Sequence, residues 1–293
     1  MAWLQLTLDI PAAHVDTASE ALEAIGAISV TLADAAGEIV IETHWDQTPL
    51  WSKVRLTALL PQDADLDAAR THLTQRLALT QPPTVTIEHV DDRDWAHAWK
   101  AQYKPLHLGG RLWVCPSWCE PPEPNAVNVI LDPGLAFGTG THATTALCLE
   151  WLTQQHLHDA VVLDYGCGSG ILAVAALKLG ARAAIATDLD DQALAVTREN
   201  AARNGVADRL QVMQPADLPA AFSADVVVAN ILAGALIELA PTLAAHTKTH
   251  GALALSGILS AQAAEVSAHY VAAFELNACE RDGWVRLAGR KRH

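Results

Sequence analysis

The sequence predicts an α/β protein with two domains, and three observations lead to this fold class. The chain has 293 residues, which is more than one domain usually contains. Its second half holds an apolar β-rich run, a glycine-rich turn and a helical pattern in succession, the layout of a nucleotide-binding βα unit in a Rossmann-like parallel sheet. Residues 1–90 alternate strand and helix patterns, which predicts a smaller α+β domain.

The patterns within residues 1–90 follow the order βαβ, one or two strands, then αβ. Alternation predicts strands, apolar residues three and four apart predict helices, and glycine or proline ends several segments. The predicted strands are 3–10, 27–32, 38–41, 54–60 and 84–90, and the predicted helices are 13–25 and 63–79. This order is that of a ferredoxin-like split βαβ domain, with or without an extra strand. Its acids and histidines are scattered singly, as on a solvated surface.

Residues 91–105 predict a helix between the two domains. Asp91 or Asp92 can cap its start, and Pro105 ends it. Trp95, Trp99 and Tyr103 recur at every fourth residue, so they share one face of a helix. Such a stripe usually packs against something, and its position predicts a linker helix. The third segment, residues 106–293, then forms the larger domain.

The glycine-rich turn is the centre of that domain. An apolar strand ending in Asp164 precedes Gly166, Gly168 and Gly170, and a helix follows. The dinucleotide fingerprint G-x-G-x-x-G does not fit, because Ile171 occupies its last glycine position. The spacing instead resembles the first motif of S-adenosylmethionine-dependent methyltransferases, in which this loop faces the methionine part of the cofactor. A glycine-rich turn without a ligand is the alternative.

The next predicted strand ends at Asp188, an acid placed to hold a ribose diol. Two further segments support a ligand crevice. Residues 132–145 contain three glycines and four threonines, including Thr145 at a helix start. Asn230 follows the buried strand pattern 224–229, where its amide can orient an amine N–H or cap the following helix, and both roles stay open.

Composition limits the partners. The formal net charge is −14, which argues against a broad nucleic-acid-binding face and fits a small molecule or a basic protein partner. No apolar run reaches membrane-spanning length, and the start of the chain lacks the pattern of a signal peptide, so we expect a cytoplasmic protein without membrane partners. The five cysteines have no regular spacing. Cys115 and Cys119 are the only close pair, and we expect no metal site.

Residues 131–142, 164–172, 228–233 and 256–259 together resemble the bacterial methyltransferases that modify ribosomal protein eleven of the large subunit. The resemblance covers nearly the whole chain. It implies a ferredoxin-like domain that recognises the ribosomal protein, a linker helix, and a seven-stranded methyltransferase domain that uses S-adenosylmethionine. It also implies multiple methylation of lysine side chains and of an α-amino terminus. Thr145, Gly166, Asp188 and Asn230 match the family's cofactor contacts.

The resemblance has two departures, and other functions remain as alternatives. Asn230 is followed by Ile231 and Leu232 rather than by two prolines and an aromatic residue, which speaks against amide or base targets. Ala143 stands where many relatives carry proline.

The alternatives are methylation of another amine, a nicotinamide oxidoreductase, and a cofactor-sensing protein without catalysis. No residue is an assured general base. His142 is a candidate by position only, and loss of the proton to water is the default.

Overall fold

The structure, a computed structural model, describes residues 3–36, 51–77, 81–90, 103–132 and 142–293. The chain divides into two compact units, Met1–Ala101 and Gln102–His293. Most of the predicted linker helix, and the predicted strand 38–41, lie outside the described residues. Within the described part of the chain, no helix has the length and apolar character needed to cross a membrane.

The first unit has the ferredoxin-like order βαββαβ. Its four strands form an antiparallel sheet in the order β2-β3-β1-β4. Leu4, Leu6 and Leu8 alternate into a core that they share with both helices, as the period-two pattern predicts. The elements are β1 (Trp3–Pro11), α1 (Val15–Ala24), β2 (Ser29–Asp34), β3 (Lys53–Pro61), α2 (Leu66–Arg76) and β4 (Thr86–Val90).

Helix α2 is shorter than the predicted range 63–79. The carboxylate of Asp65 accepts hydrogen bonds from the backbone N–H groups of Asp67 and Ala68, at 3.1 and 3.0 Å. A side chain that satisfies the first free N–H groups of a helix fixes where the helix starts. The sequence predicts an earlier start because Asp63 and Ala64 are also compatible with the first turn of a helix.

The second unit contains a seven-stranded sheet in the order β10-β9-β8-β11-β12-β14-β13, which confirms the predicted fold class. The five strands from β10 to β12 are parallel, and β14 pairs antiparallel with both β12 and β13. Its strands are β8 (Val161–Tyr165), β9 (Ala183–Thr187), β10 (Leu210–Met213), β11 (Ala224–Asn230), β12 (Thr247–Leu259), β13 (Phe274–Arg281) and β14 (Trp284–Lys291).

Helices cover both faces of this sheet. One core cluster joins the sheet to α3, α4 and α5, and a second joins it to α6, α7 and α8. Covering both faces removes the apolar strands from water, which explains why these strands are nearly continuous hydrophobic runs. The helices are α3 (Ala143–Thr153), α4 (Ile171–Lys178), α5 (Asp191–Arg203), α6 (Ala233–Glu238), α7 (Ala240–Ala245) and α8 (Ala263–Tyr270).

Two local features differ from the sequence prediction. The apolar spacing of residues 232–245 predicts one helix, but the structure has two, because Pro241 lacks an N–H and its ring conflicts with the preceding turn. The structure also contains a small sheet of three strands, of which the sequence predicts only the last, as 127–131. Its strands are β5 (Leu106–His107), β6 (Leu112–Cys115) and β7 (Val127–Ile130).

The strand order places the functional candidates at one edge of the large sheet. Strand β8 pairs with β9 on one side and with β11 on the other. From β8 the chain continues to β9 and β10 on one side of the sheet and then returns to β11 and β12 on the other side. Where the strand order reverses in this way, a crevice opens at the carboxyl ends of the strands. Gly166 follows β8, Asp188 follows β9, and Asn230 ends β11.

Candidate functional site

The glycine turn after β8 is too tight for side chains. Gly166, Gly168 and Gly170 have φ values of 77°, 53° and 75°, in the left-handed region that glycine adopts without steric cost. A Cβ added at Gly166 would overlap Cγ2 of Ile231, and one at Gly170 would lie 2.7 Å from the side chain of Thr197. The predicted turn is therefore present, and neighbouring side chains leave no room for a Cβ at Gly166 or Gly170.

Asp188 faces this turn from the end of β9. Its Oδ2 accepts a hydrogen bond from the N–H of Gly168 at 2.9 Å, and its Oδ1 accepts one from the N–H of Asp190 at 3.1 Å. Each oxygen of an ionised carboxylate has a further acceptor site, so both can still receive a hydroxyl. The carboxylate is thus held in place beside the loop with capacity for a diol.

Asn230 contacts Thr145 rather than the helix that follows it. Its Nδ2 donates to Thr145 Oγ1 at 3.2 Å, a contact between residues 85 positions apart. The N-cap of α6 is Leu232, and no side-chain cap bond is present there. Asn230 Oδ1 is buried and has no hydrogen-bond donor among the described residues. A buried acceptor without a donor is costly, so this oxygen fits a ligand that donates.

A cavity of about 390 Å³ opens beside Asn230. Its size is at the small end of ligand pockets, and most of its wall is apolar. Trp284 stands edge-on to the His142 ring, with centroids 5.0 Å apart. Leu232 is 61% exposed at its rim, which is unusual for a leucine next to a buried strand. The lining residues are His142, Thr144, Asn230, Ile231, Leu232, Gly257 and Trp284.

Asp164, which the sequence shows only as the end of an apolar strand, is a further candidate. It is fully buried beneath the glycine turn, and its Oδ2 accepts from the N–H of Ala173 at 3.0 Å. Its Oδ1 has no donor within the described part of the chain. Burial raises the pKa of this carboxyl to about 7. The signal in the sequence was an acid at the end of an otherwise apolar strand.

The polar groups of the crevice fit S-adenosylmethionine better than a dinucleotide. Asp164 and Asn230 lie at the ends of neighbouring strands, and each has a buried oxygen that receives no donor from the part of the chain that the structure describes. The α-ammonium and ribose hydroxyls of S-adenosylmethionine are donors. A pyrophosphate has only acceptors, so it cannot donate to either of these oxygens. No three metal-binding side chains converge anywhere in the described ranges.

Comparison with known proteins identifies the family. A family model described as "Ribosomal protein L11 methyltransferase (PrmA)" matches residues 2–292. The chain belongs to this family. A ribosomal protein L11 methyltransferase of Pseudomonas putida (strain W619) is 52% identical over 294 residues, covering 100% of both chains. One of Pseudomonas aeruginosa (strain LESB58) is 51% identical, covering 100% of this chain and 99% of the relative.

A solved structure agrees with this assignment. The crystal structure of ribosomal protein L11 methylase from Lactobacillus delbrueckii subsp. bulgaricus is 34% identical, with a TM-score of 0.60. The match covers 65% of this chain and all of that one. The predicted family and the predicted cofactor, S-adenosylmethionine, are thereby confirmed. The fold brings all five predicted site residues to one sheet edge: Thr145, Gly166, Gly168, Asp188 and Asn230.

Proposed function

We propose that this protein transfers methyl groups from S-adenosylmethionine to amines of ribosomal protein L11, both lysine side chains and the α-amino terminus. The observation that carries the proposal is the buried Oδ1 of Asn230, which has no donor among the described residues and lies beside an apolar cavity. A neutral amine has N–H groups that this oxygen accepts, and the cavity accommodates an aliphatic stem. The family name of the relatives supports L11 as the substrate.

The same crevice holds the cofactor in this proposal. The turn at Gly166 and Gly168 lies against the methionine part, and Asp188 accepts from the ribose hydroxyls. Thr145 fixes the amide of Asn230, so that its Oδ1 keeps one direction. The bound cofactor supplies an electrophilic methyl group on a sulfonium. Because the leaving group is already present, the residues of the chain act mainly by holding the amine in line.

The amine must lose its proton before it reacts. At pH 7 this costs about 4.6 kcal/mol for a lysine with a pKa near 10.4, and about 1–1.4 kcal/mol for an α-amine. The apolar wall formed by Ile231, Leu232 and Trp284 disfavours the charged ammonium and so lowers this cost. His142 lines the cavity, with Nδ1 2.8 Å from Thr144 Oγ1. The same Nδ1 accepts from the backbone N–H of Thr144 at 3.4 Å and so caps α3, and proton loss to water remains the default.

We expect Asp188→Ala to weaken S-adenosylmethionine binding by about 1.5–3 kcal/mol, the range for a hydrogen bond to a charged group. Isothermal titration calorimetry measures the change. Asp190→Ala is a matched control, because Asp190 caps α5 through the N–H of Gln192 at 2.9 Å and does not contact the turn. Equal affinity in the Asp188 variant and the wild type would remove Asp188 from the ribose role.

The N-terminal unit is assigned to substrate recognition, with residues 1–90 as the recognition domain, 91–105 as the linker and 106–293 as the catalytic domain. The cores support this division, because the cluster in residues 4–77 is separate from those in residues 108–288. A chain that begins at Leu106 should still bind S-adenosylmethionine and should lose most of its activity on intact L11. A full-length rate of L11 methylation by the shortened chain would contradict the assignment.

The decisive experiment is mass spectrometry of ribosomal proteins incubated with the enzyme and labelled cofactor. Methyl groups on L11 amines support the proposal, and a different methylated protein would establish the alternative of another amine substrate. Cofactor binding without methylation of any protein would indicate a sensing role. The proposed substrate is a ribosomal protein, so the proposal also assigns the enzyme to the cytoplasm.

A further inference from the structure

Ser256 is a fully buried serine of β12 that the proposed chemistry does not use. It lies opposite Asn230 in the parallel pairing of β12 with β11, and its neighbour Gly257 lines the cavity beside Asn230. We propose that Ser256 is a positioning residue, which fixes Thr145 relative to Asn230 and so sets the direction of the Asn230 amide. This inference rests on the proposed function of Asn230.

The serine hydroxyl binds the first turn of α3. Ser256 Oγ donates to the backbone carbonyl of Thr144 at 3.1 Å, a contact between residues 112 positions apart. Thr144 lines the cavity, and the next residue, Thr145, accepts from Nδ2 of Asn230 through its Oγ1 at 3.2 Å. A serine has a single side-chain donor, and here that donor holds the peptide group that joins the two threonines.

The backbone of Ser256 binds the other partner. Its carbonyl accepts from the N–H of Ile231 at 3.1 Å, and that N–H belongs to the peptide group that follows Asn230. The three hydrogen bonds and the two peptide groups form a closed ring through Ser256, Thr144, Thr145, Asn230 and Ile231. Because the ring is closed, loss of the serine hydroxyl would free the start of α3 to move relative to Asn230.

Burial strengthens the hydrogen bonds of this ring. Ser256, Thr144 and Thr145 are 0%, 1% and 1% exposed, so water does not compete for these bonds. An alanine at position 256 would occupy the same space and would leave only apolar packing between β12 and this turn, which has no directional preference. The alternative is a serine that only satisfies its own hydroxyl. Such a serine would make the same bond and would have no influence on Asn230.

The test is a double-mutant cycle on the full-length protein, with the rate of methyl transfer to ribosomal protein L11 measured in a single turnover. Ser256→Ala should slow the reaction by about tenfold, because small misplacements are costly in an in-line reaction. In a chain that already carries Asn230→Ala, the same change should slow the reaction by about twofold or less, since residues in one network are not additive. A role in stability alone would give the same factor in both chains.

Thr247→Val is the matched control. Thr247 is the first residue of β12, at the end of the strand away from the crevice, and it is 1% exposed. Its Oγ1 likewise donates to a helix carbonyl, that of Leu243, at 2.7 Å. The control should lower the melting temperature as Ser256→Ala does and leave the rate within about twofold, because distant sites act independently.

Nuclear magnetic resonance of isotope-labelled protein without cofactor supplies a measurement that does not depend on turnover. The side-chain amide signal of Asn230 can be assigned by its absence in Asn230→Ala. It should shift in Ser256→Ala and keep its position in Thr247→Val. If Ser256→Ala does not fold, Ser256→Cys keeps the side-chain shape with a weaker donor and should slow the reaction by about threefold.

A wild-type rate in the folded Ser256 variant, or an equal factor in the two chains of the cycle, would overturn the inference. An unchanged Asn230 amide signal in Ser256→Ala would also overturn it. If the wild type did not methylate L11, the proposed function itself would be refuted, and the amide signal would still test whether Ser256 controls Asn230.

Discussion

Asn230→Ala should slow methyl transfer by about a hundredfold or more, because small misplacements are costly in an in-line reaction. Thr145 holds the Asn230 amide in one orientation, and the buried Oδ1 of that amide has no donor among the described residues. Without that acceptor, the target amine loses its orientation. The fold should be little affected, because Asn230 does not cap α6.

Single-turnover methyl transfer at saturating cofactor measures this effect, with the melting temperature recorded beside it. Asn277→Ala is a suitable control, because Asn277 is exposed on β13. Asn230→Asp tests the role of charge: a carboxylate would stabilise the ammonium form and should also slow lysine methylation. A wild-type rate in the alanine variant, or a rate loss matched by a loss of fold, would exclude the positioning role.

The sequence predicted those parts of the site that lie at strand ends. Gly166, Asp188 and Asn230 each follow an apolar strand, and the carboxyl ends of parallel strands meet at one edge. Their proximity follows from topology alone. The position of the crevice can therefore be predicted from the sequence without knowledge of any side-chain contact.

Residues from the antiparallel part of the sheet could not be predicted in this way. Trp284 starts a hairpin strand near the end of the chain, and nothing local indicates a ligand. It reaches the cavity because β14 pairs with β12, which places Trp284 opposite Leu259. The contact of the Asn204 side chain with the backbone of Ile130 was equally hidden, since a polar residue at the end of a helix usually faces water. Only the pairing with Ile130 shows otherwise.

Gly257→Ala should abolish most activity, because an added Cβ has no space there. Gly257 has a φ of 85°, and a Cβ would overlap the carbonyl oxygen of Ile231 and lie 2.8 Å from its carbonyl carbon. Backbone atoms cannot rotate away as a side chain can. The peptide of Ile231, which is joined to Asn230 and hydrogen-bonded to Ser256 at 3.1 Å, would have to move.

We therefore expect the methyl transfer rate of Gly257→Ala to fall by about a hundredfold, as Asn230 shifts with its neighbour. The free energy of unfolding should fall by about 1–2 kcal/mol for the left-handed conformation and by about 1–3 kcal/mol for the overlap. Gly180→Ala separates the two causes. Gly180 also has a positive φ, 115°, but a Cβ there would meet nothing within 4 Å.

Chemical denaturation and single-turnover rates of the two glycine variants make this comparison. Gly180→Ala should lose some stability and keep the wild-type rate, whereas Gly257→Ala should lose both. If Gly257→Ala folded and reacted at the wild-type rate, the position of the Ile231 peptide would not control the amine site. If both variants slowed the reaction equally, the loss would reflect backbone strain in general. A loss confined to Gly257→Ala would show that the close approach of β12 to Ile231 sets the position of Asn230.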